Sequence, residues 1–123
     1  MRGRTIILAA LGMFVLVAKA RSATITLDYC FGDGIDGINM SGSYSVSIEA
    51  SGVGIETNAR RTGGGGLSTK TVPGPFGGGY NLWGVFDHRP LNAGTYDCFA
   101  TLTYTLGGVT YHQDSSSMTA STP

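Results

Sequence analysis

The clearest alternation of polar and apolar side chains in the chain is Ser43-Tyr44-Ser45-Val46-Ser47-Ile48-Glu49-Ala50. Successive side chains of a β-strand point to opposite faces, so the apolar residues of this segment share one face and the serines share the other. This pattern is typical of a strand with one buried side and one solvent-facing side. We therefore expect a strand over residues 43–50.

Similar segments occur on both sides of this stretch, and glycines separate them. Beyond the N-terminal region no segment repeats its apolar residues every 3.6 positions, and the 20 glycines are too frequent for long helices. The pattern predicts further strands near residues 24–31, 52–57, 67–72, 80–87, 95–105, 109–113 and 117–121. Seven or eight short strands separated by turns indicate an all-β fold, a small antiparallel sandwich.

The first twenty residues have the layout of a signal peptide. Basic residues in Met1-Arg2-Gly3-Arg4 precede an apolar run over residues 6–18, and Ala18 and Ala20 supply the small residues that a signal peptidase requires. As a helix the run would measure roughly 20 Å, shorter than the ~30 Å hydrocarbon core of a bilayer. We predict a signal helix over residues 1–20, cut at residue 23 at the latest, followed by a single domain over residues 21–123. The expected location is secreted or periplasmic, with no membrane association after cleavage.

The charge balance argues against nucleic acid as a partner. The chain has eight basic and eight acidic residues, and three of the basic ones, Arg2, Arg4 and Lys19, belong to the predicted leader. Its removal leaves a mildly acidic domain of net charge about −3 without the clustered positive face that phosphate backbones attract.

The two cysteines, Cys30 and Cys98, both lie beyond the leader. An exported chain with an even number of thiols most simply pairs them, so we predict a Cys30–Cys98 disulfide. Strict alternation places Cys98 on the apolar face of its strand but Cys30 opposite Tyr29 and Phe31. A bulge or a strand end near Cys30 is therefore needed if both are to face the core.

The segment Leu91-Asn92-Ala93-Gly94-Thr95-Tyr96-Asp97-Cys98 resembles the corner between the E and F strands of the immunoglobulin superfamily. The resemblance implies an immunoglobulin-like sandwich in which Tyr96 is a structural residue of the corner. Its hydroxyl is then expected to hydrogen bond to the backbone near Leu91 or Asn92, with Cys98 beside it in the core.

Two groups of polar residues are candidates for chemistry. Asp33, Asp36 and Asn39 form an oxygen-rich loop with the character of a calcium site. Their spacing matches no calcium motif, and turn formation is the preferred interpretation.

His88 and His112 are the two histidines, so any histidine-based catalysis or zinc binding would use them. No nucleophile motif accompanies them, and we expect solvated histidines, no catalytic residues and no cofactor.

Aromatic residues crowd the glycine-rich stretch after residue 73. Tyr80, Leu82 and Phe86 share one face and are expected in the core, while Trp83 lies on the other face and is the candidate for exposure. Exposed aromatic rings combine a large contact area with a low entropy cost, which makes Trp83 and Phe76 candidate partner-binding residues.

Together these patterns predict a small non-enzymatic binding or structural module whose partner is an unknown extracellular protein or surface ligand. Two alternatives stay open. One is a small secreted hydrolase using His88 or His112, and the other is a calcium-stabilised matrix domain using Asp33 and Asp36.

Overall fold

A computed structural model describes residues 23–123, and the predicted signal peptide over residues 1–20 lies outside this range. The described residues form nine strands. They are β1 (Thr24–Ile25), β2 (Tyr29–Gly32), β3 (Ile38–Val46), β4 (Ser51–Arg61), β5 (Leu67–Thr71), β6 (Gly79–His88), β7 (Gly94–Leu106), β8 (Val109–Asp114) and β9 (Met118–Thr122). Between residues 23 and 123 there is no helix, and hence none long and apolar enough to cross a membrane.

The strands form two antiparallel sheets, which confirms the predicted all-β class. In sheet A, β3 is central, with β1 and β2 pairing along one side and β6 along the other. In sheet B the order is β5-β4-β7, and β7 then pairs with both β8 and β9. The two sheets enclose a common core in a sandwich-like arrangement.

The core is built by residues that alternate along β3 and β7. Along β7 the inward residues are Tyr96, Cys98, Ala100, Leu102 and Tyr104, the same set that the period-2 pattern predicts. Ile55 and Ala59 of β4 lie beside them in the same sheet, and β3 of the other sheet contributes Ile38, Met40 and Tyr44 to the same core. Burial of these apolar side chains stabilises the fold at roughly 25 cal/mol per Å² removed from water.

The predicted first strand is divided in two, which is why there are nine strands rather than seven or eight. Strand β1 ends at Ile25 and β2 begins at Tyr29, with an irregular segment between them. The break shifts the alternation by one residue, so Leu27 and Cys30 are both buried while Tyr29 and Phe31 are exposed. The required strand end near Cys30 is therefore present.

The predicted strand over residues 43–50 is displaced toward the N-terminus. Strand β3 ends at Val46, and residues 47–50 form a turn in which the Ala50 N–H donates to the Ser47 carbonyl. The alternation of polar and apolar residues in the sequence continues through Ile48. The Ile48 side chain is nevertheless 85% exposed, because the chain has already left the sheet at this point.

Candidate functional site

His88 connects the two sheets through hydrogen bonds from both ring nitrogens. It is fully buried at the end of β6, where Nδ1 lies 2.7 Å from Thr57 Oγ1 and Nε2 lies 2.8 Å from Ser68 Oγ. Burial, together with the positive charge of Lys70, lowers the pKa of His88 to about 4. The ring is therefore neutral at pH 7, and the expectation of a solvated histidine is wrong for His88.

His112 is exposed, as predicted, and the structure does not bring it to His88. It lies on β8, where Nδ1 is 2.9 Å from Thr103 Oγ1. His88 contacts β4 and β5, whereas β8 is at the opposite edge of sheet B. The two histidines therefore do not form one site.

Ser68 also lines a cleft of about 620 Å³ between the glycine-rich turn after β4 and the segment that precedes β7. Arg61 lies in this cleft, and its guanidinium donates to the Ala93 carbonyl. The cleft thus combines a hydroxyl that is hydrogen bonded to a neutral imidazole with a nearby positive charge.

The Asp33 loop is a hydrogen-bonded turn. Oδ1 of Asp33 accepts the backbone N–H groups of Ile35, Asp36 and Gly37 at 2.7 to 3.0 Å, and the Ile35 N–H contributes most to lowering the pKa of Asp33. Asn39 instead lies within β3, paired with Phe31 and Asp87. Among residues 23–123 no group of three or more histidine, cysteine or acidic side chains is placed to hold a metal ion.

The carboxyl groups of Asp33 and Asp87 both lie next to Gly37. A Cβ at Gly37 would lie 2.8 Å from both Asp33 Oδ2 and Asp87 Oδ1, so the absence of a side chain there allows the two carboxyl groups to approach. Burial of Asp87 and its hydrogen bond with Asp33 raise the pKa of Asp87. Arg89 partly compensates the negative charge at this end of the sheet with ion pairs to Asp36 at 3.4 Å and to Asp87 at 3.3 Å.

The predicted Cys30–Cys98 disulfide is not present. Both cysteines are buried and free, with their thiols in hydrogen-bonding contact, and this contact and burial raise the pKa of Cys98. The prediction used an even number of thiols and an expected compartment, neither of which determines the distance or angle between two sulfur atoms.

Trp83 is buried, and the expectation that it is the exposed aromatic is wrong. Its indole N–H donates to the Thr26 carbonyl at 3.0 Å, and its side chain lies in the core. The pairing of β3 with β6 shifts register after Gly42, and Gly84 has a φ of +89°. This irregularity inverts the alternation, so that Trp83 points inward while Tyr80 and Leu82, expected in the core, point outward.

Phe76 is half-buried and packs against the core. Its ring makes an edge-to-face contact with Tyr44 at a centroid distance of 5.8 Å. Most of the surface of Phe76 is therefore already used in contacts within the chain.

Exposed apolar side chains lie on the outer face of sheet A, and they are not the predicted candidates Trp83 and Phe76. Five residues contribute, each between 58% and 79% exposed: Tyr29 and Phe31 on β2, and Tyr80, Leu82 and Val85 on β6. We call these five residues the outer apolar band.

The band borders a groove along β3. Tyr29, Ser41 and Val85 lie in one row across the three strands, and Ser43 and Ser45 pair with Leu82 and Tyr80 in the following rows. Because β3 carries small side chains here while its neighbours carry large ones, two adjoining depressions of about 210 and 290 Å³ form beside Tyr29 and Val85.

This face was not predicted from the sequence, although two signals for it were present. If Cys30 faces the core, Tyr29 and Phe31 must face outward. An isolated glycine within a strand pattern, here Gly84, indicates a bulge that exchanges the two faces.

Comparison with known proteins does not assign this chain to a family. No protein-family model, no curated protein and no solved structure matches it. Its function is therefore inferred from the geometry of the chain itself.

Proposed function

We propose that this protein is a small, non-enzymatic, secreted or periplasmic module that binds a partner through the outer face of sheet A. The observation that carries the proposal is the exposure of the outer apolar band. With ~150–250 Å² for each of the three aromatic side chains and somewhat less for Leu82 and Val85, the exposed fractions add to roughly 600 Å² of mostly apolar surface. The largest apolar patch of an ordinary monomer is about 300–600 Å² and is often functional, so the band lies at the upper end of this range.

The polar side chains of the core support a structural role rather than a catalytic one. Both ring nitrogens of His88 are already hydrogen bonded, and its lowered pKa makes it a weak base at neutral pH. Oδ1 of Asp33 likewise accepts three backbone N–H groups of its own turn.

We further propose that the sandwich is immunoglobulin-like. The pairing of β3 with β6 corresponds to strands B and E, and that of β4, β7 and β8 to strands C, F and G. The Tyr96 hydroxyl donates to the Asn92 carbonyl at 2.7 Å, which is the contact expected of the corner tyrosine. Cys30 departs from the pattern, since it lies on β2 rather than on the B-like strand β3.

Site-specific photo-crosslinking tests the binding face. A photoreactive phenylalanine analogue is placed at Leu82 on the outer apolar band, and in a control protein at Val109, an exposed apolar residue of sheet B. Irradiation of producing cells should give a covalent adduct of higher mass from position 82 and none from position 109. The absence of any adduct at position 82 would contradict the proposed function.

A secreted hydrolase is the second candidate function, and the contact between Ser68 and His88 favours it. A serine hydroxyl within hydrogen-bond reach of an imidazole that a third group orients is the arrangement of an activated nucleophile. A fluorophosphonate probe should then label Ser68, and Ser68→Ala should abolish the label. An unlabelled wild-type protein would exclude this candidate.

A further inference from the structure

We infer that the partner of the outer apolar band is a second copy of this chain, bound face to face across a two-fold axis. This inference rests on the proposed function, because it identifies the occupant of the same face. Three features support it: the area of the band, the small number of charged side chains at its margin, and its arrangement on the sheet.

The area fits a dimer of ordinary size. A stable interface buries about 800 Å² of each partner, and in homodimers about 65% of that area is apolar. The roughly 600 Å² of the five exposed side chains supplies the apolar centre of such an interface. Asn39, Ser41 and Ser45 on β3, with Thr24 on β1, supply the polar remainder.

The charge on this face does not select a partner of opposite sign. Asp28 and Asp87 border the band, and Asp87 is already paired with Arg89. Asp28 accepts a hydrogen bond from Thr26 at the margin. A face without a strong field is compatible with its own copy, whereas a highly charged face would repel it.

The arrangement of the band on the sheet is suited to a symmetric contact. The large side chains run diagonally, from Phe31 at one end of β2, through the row of Tyr29 and Val85, to Tyr80 at the far end of β6. A two-fold axis through the centre of the diagonal brings Phe31 of each copy toward Tyr80 of the other, so every contact is made twice. Facing sheets pack about 10 Å apart with interdigitating side chains, and the groove along β3 provides the space for this.

The oligomeric state of the secreted product, measured by analytical ultracentrifugation over a concentration series, tests the inference. The wild type should sediment with twice the mass of one chain at micromolar concentrations. Val85→Glu, which places a charge at the centre of the band, should sediment as a monomer. Val109→Glu, an equally drastic change on sheet B, should remain dimeric.

Emission of the single tryptophan, Trp83, establishes that each variant is folded, since this residue is buried in the same sheet. Two results would overturn the inference. One is a wild type that is still monomeric at 100 µM, on the order of the highest concentration that a weak dimer would need. The other is a Val85→Glu variant that stays dimeric.

Crosslinking separates the proposed binding face from the proposed dimer. An adduct at position 82 of twice the chain mass supports both, an adduct of another mass leaves only the proposed function standing, and no adduct contradicts both.

Discussion

Thr57 and His88 share a buried hydrogen bond of 2.7 Å that joins one sheet to the other. Both side chains are fully buried, and they are 31 positions apart in the sequence. A buried polar pair of this kind is costly to separate, because the group left behind has lost its hydration and gains nothing in return. The stability and the pH response of the protein should therefore both depend on it.

Thr57→Val should destabilise the protein by about 1–3 kcal/mol. Valine keeps the shape of threonine but leaves His88 Nδ1 buried without a partner. Thr103→Val is the matched control, since Thr103 makes the same kind of contact with the exposed His112 and should cost within about 0.5 kcal/mol. Urea midpoints measure both changes, and equal midpoints for the two variants would refute a special role for the buried pair.

Stability should fall as the pH is lowered from about 6.5 to about 4. The unfolded chain protonates His88 near its ordinary pKa of 6.5, whereas the folded protein does so only near 4. The unfolded state thus binds more protons in this window, and stability that is complete above pH 6.5 is lost as the pH falls. At about 1.4 kcal/mol per pKa unit the loss is up to about 3 kcal/mol.

Urea denaturation at a series of pH values checks this dependence on His88. His88→Gln should flatten the profile between pH 6.5 and 4 even where it lowers stability overall. His112→Gln should keep the wild-type slope, and a slope that depended on His112 instead would contradict the assignment.

Tyr96→Phe and Tyr96→Ala should differ clearly in stability. Phenylalanine keeps the buried ring and removes only the hydrogen bond to the Asn92 carbonyl, at a cost of about 0.5–1.5 kcal/mol. Alanine also leaves a cavity, and the cost rises to roughly 3–5 kcal/mol. Tyr80→Ala, on the exposed face, should change the monomer's stability little. Denaturant midpoints decide the question, and a Tyr96→Ala protein as stable as the wild type would remove the support for an immunoglobulin-like corner.

Gly42→Ala should disturb the environment of Trp83. A Cβ at Gly42 would clash with the Thr26 carbonyl and lie 2.7 Å from Trp83 Nε1, which donates to that carbonyl. Overpacking of this kind costs about 1–3 kcal/mol, and we expect a red shift of tryptophan emission as the indole is displaced. Gly54→Ala is the control, because a Cβ there would meet no atom within 4 Å beyond its own chain neighbours. Identical emission spectra for the two variants would contradict the prediction.

Local patterns in the sequence determined the all-β class and much of β7. The inward set from Tyr96 to Tyr104 follows from alternation alone, since a regular strand has no other way to place its side chains. The contact of Tyr96 with Asn92 is present as the resemblance of residues 91–98 to an immunoglobulin corner implies.

The tertiary structure decided which faces of β2 and β6 are buried. Alternation identifies which residues share a face only while the strand is regular, and a break after Ile25 and a bulge beside Gly84 each exchange the two faces. Trp83 is consequently in the core and Val85 on the surface, which moved the candidate binding site from the predicted Trp83 to the outer apolar band. The burial of His88 likewise depends on Thr57 and Ser68, which are far away in sequence and meet it only when the sheets pack. A pattern within one segment carries no information about such contacts, because the packing of the whole chain creates them.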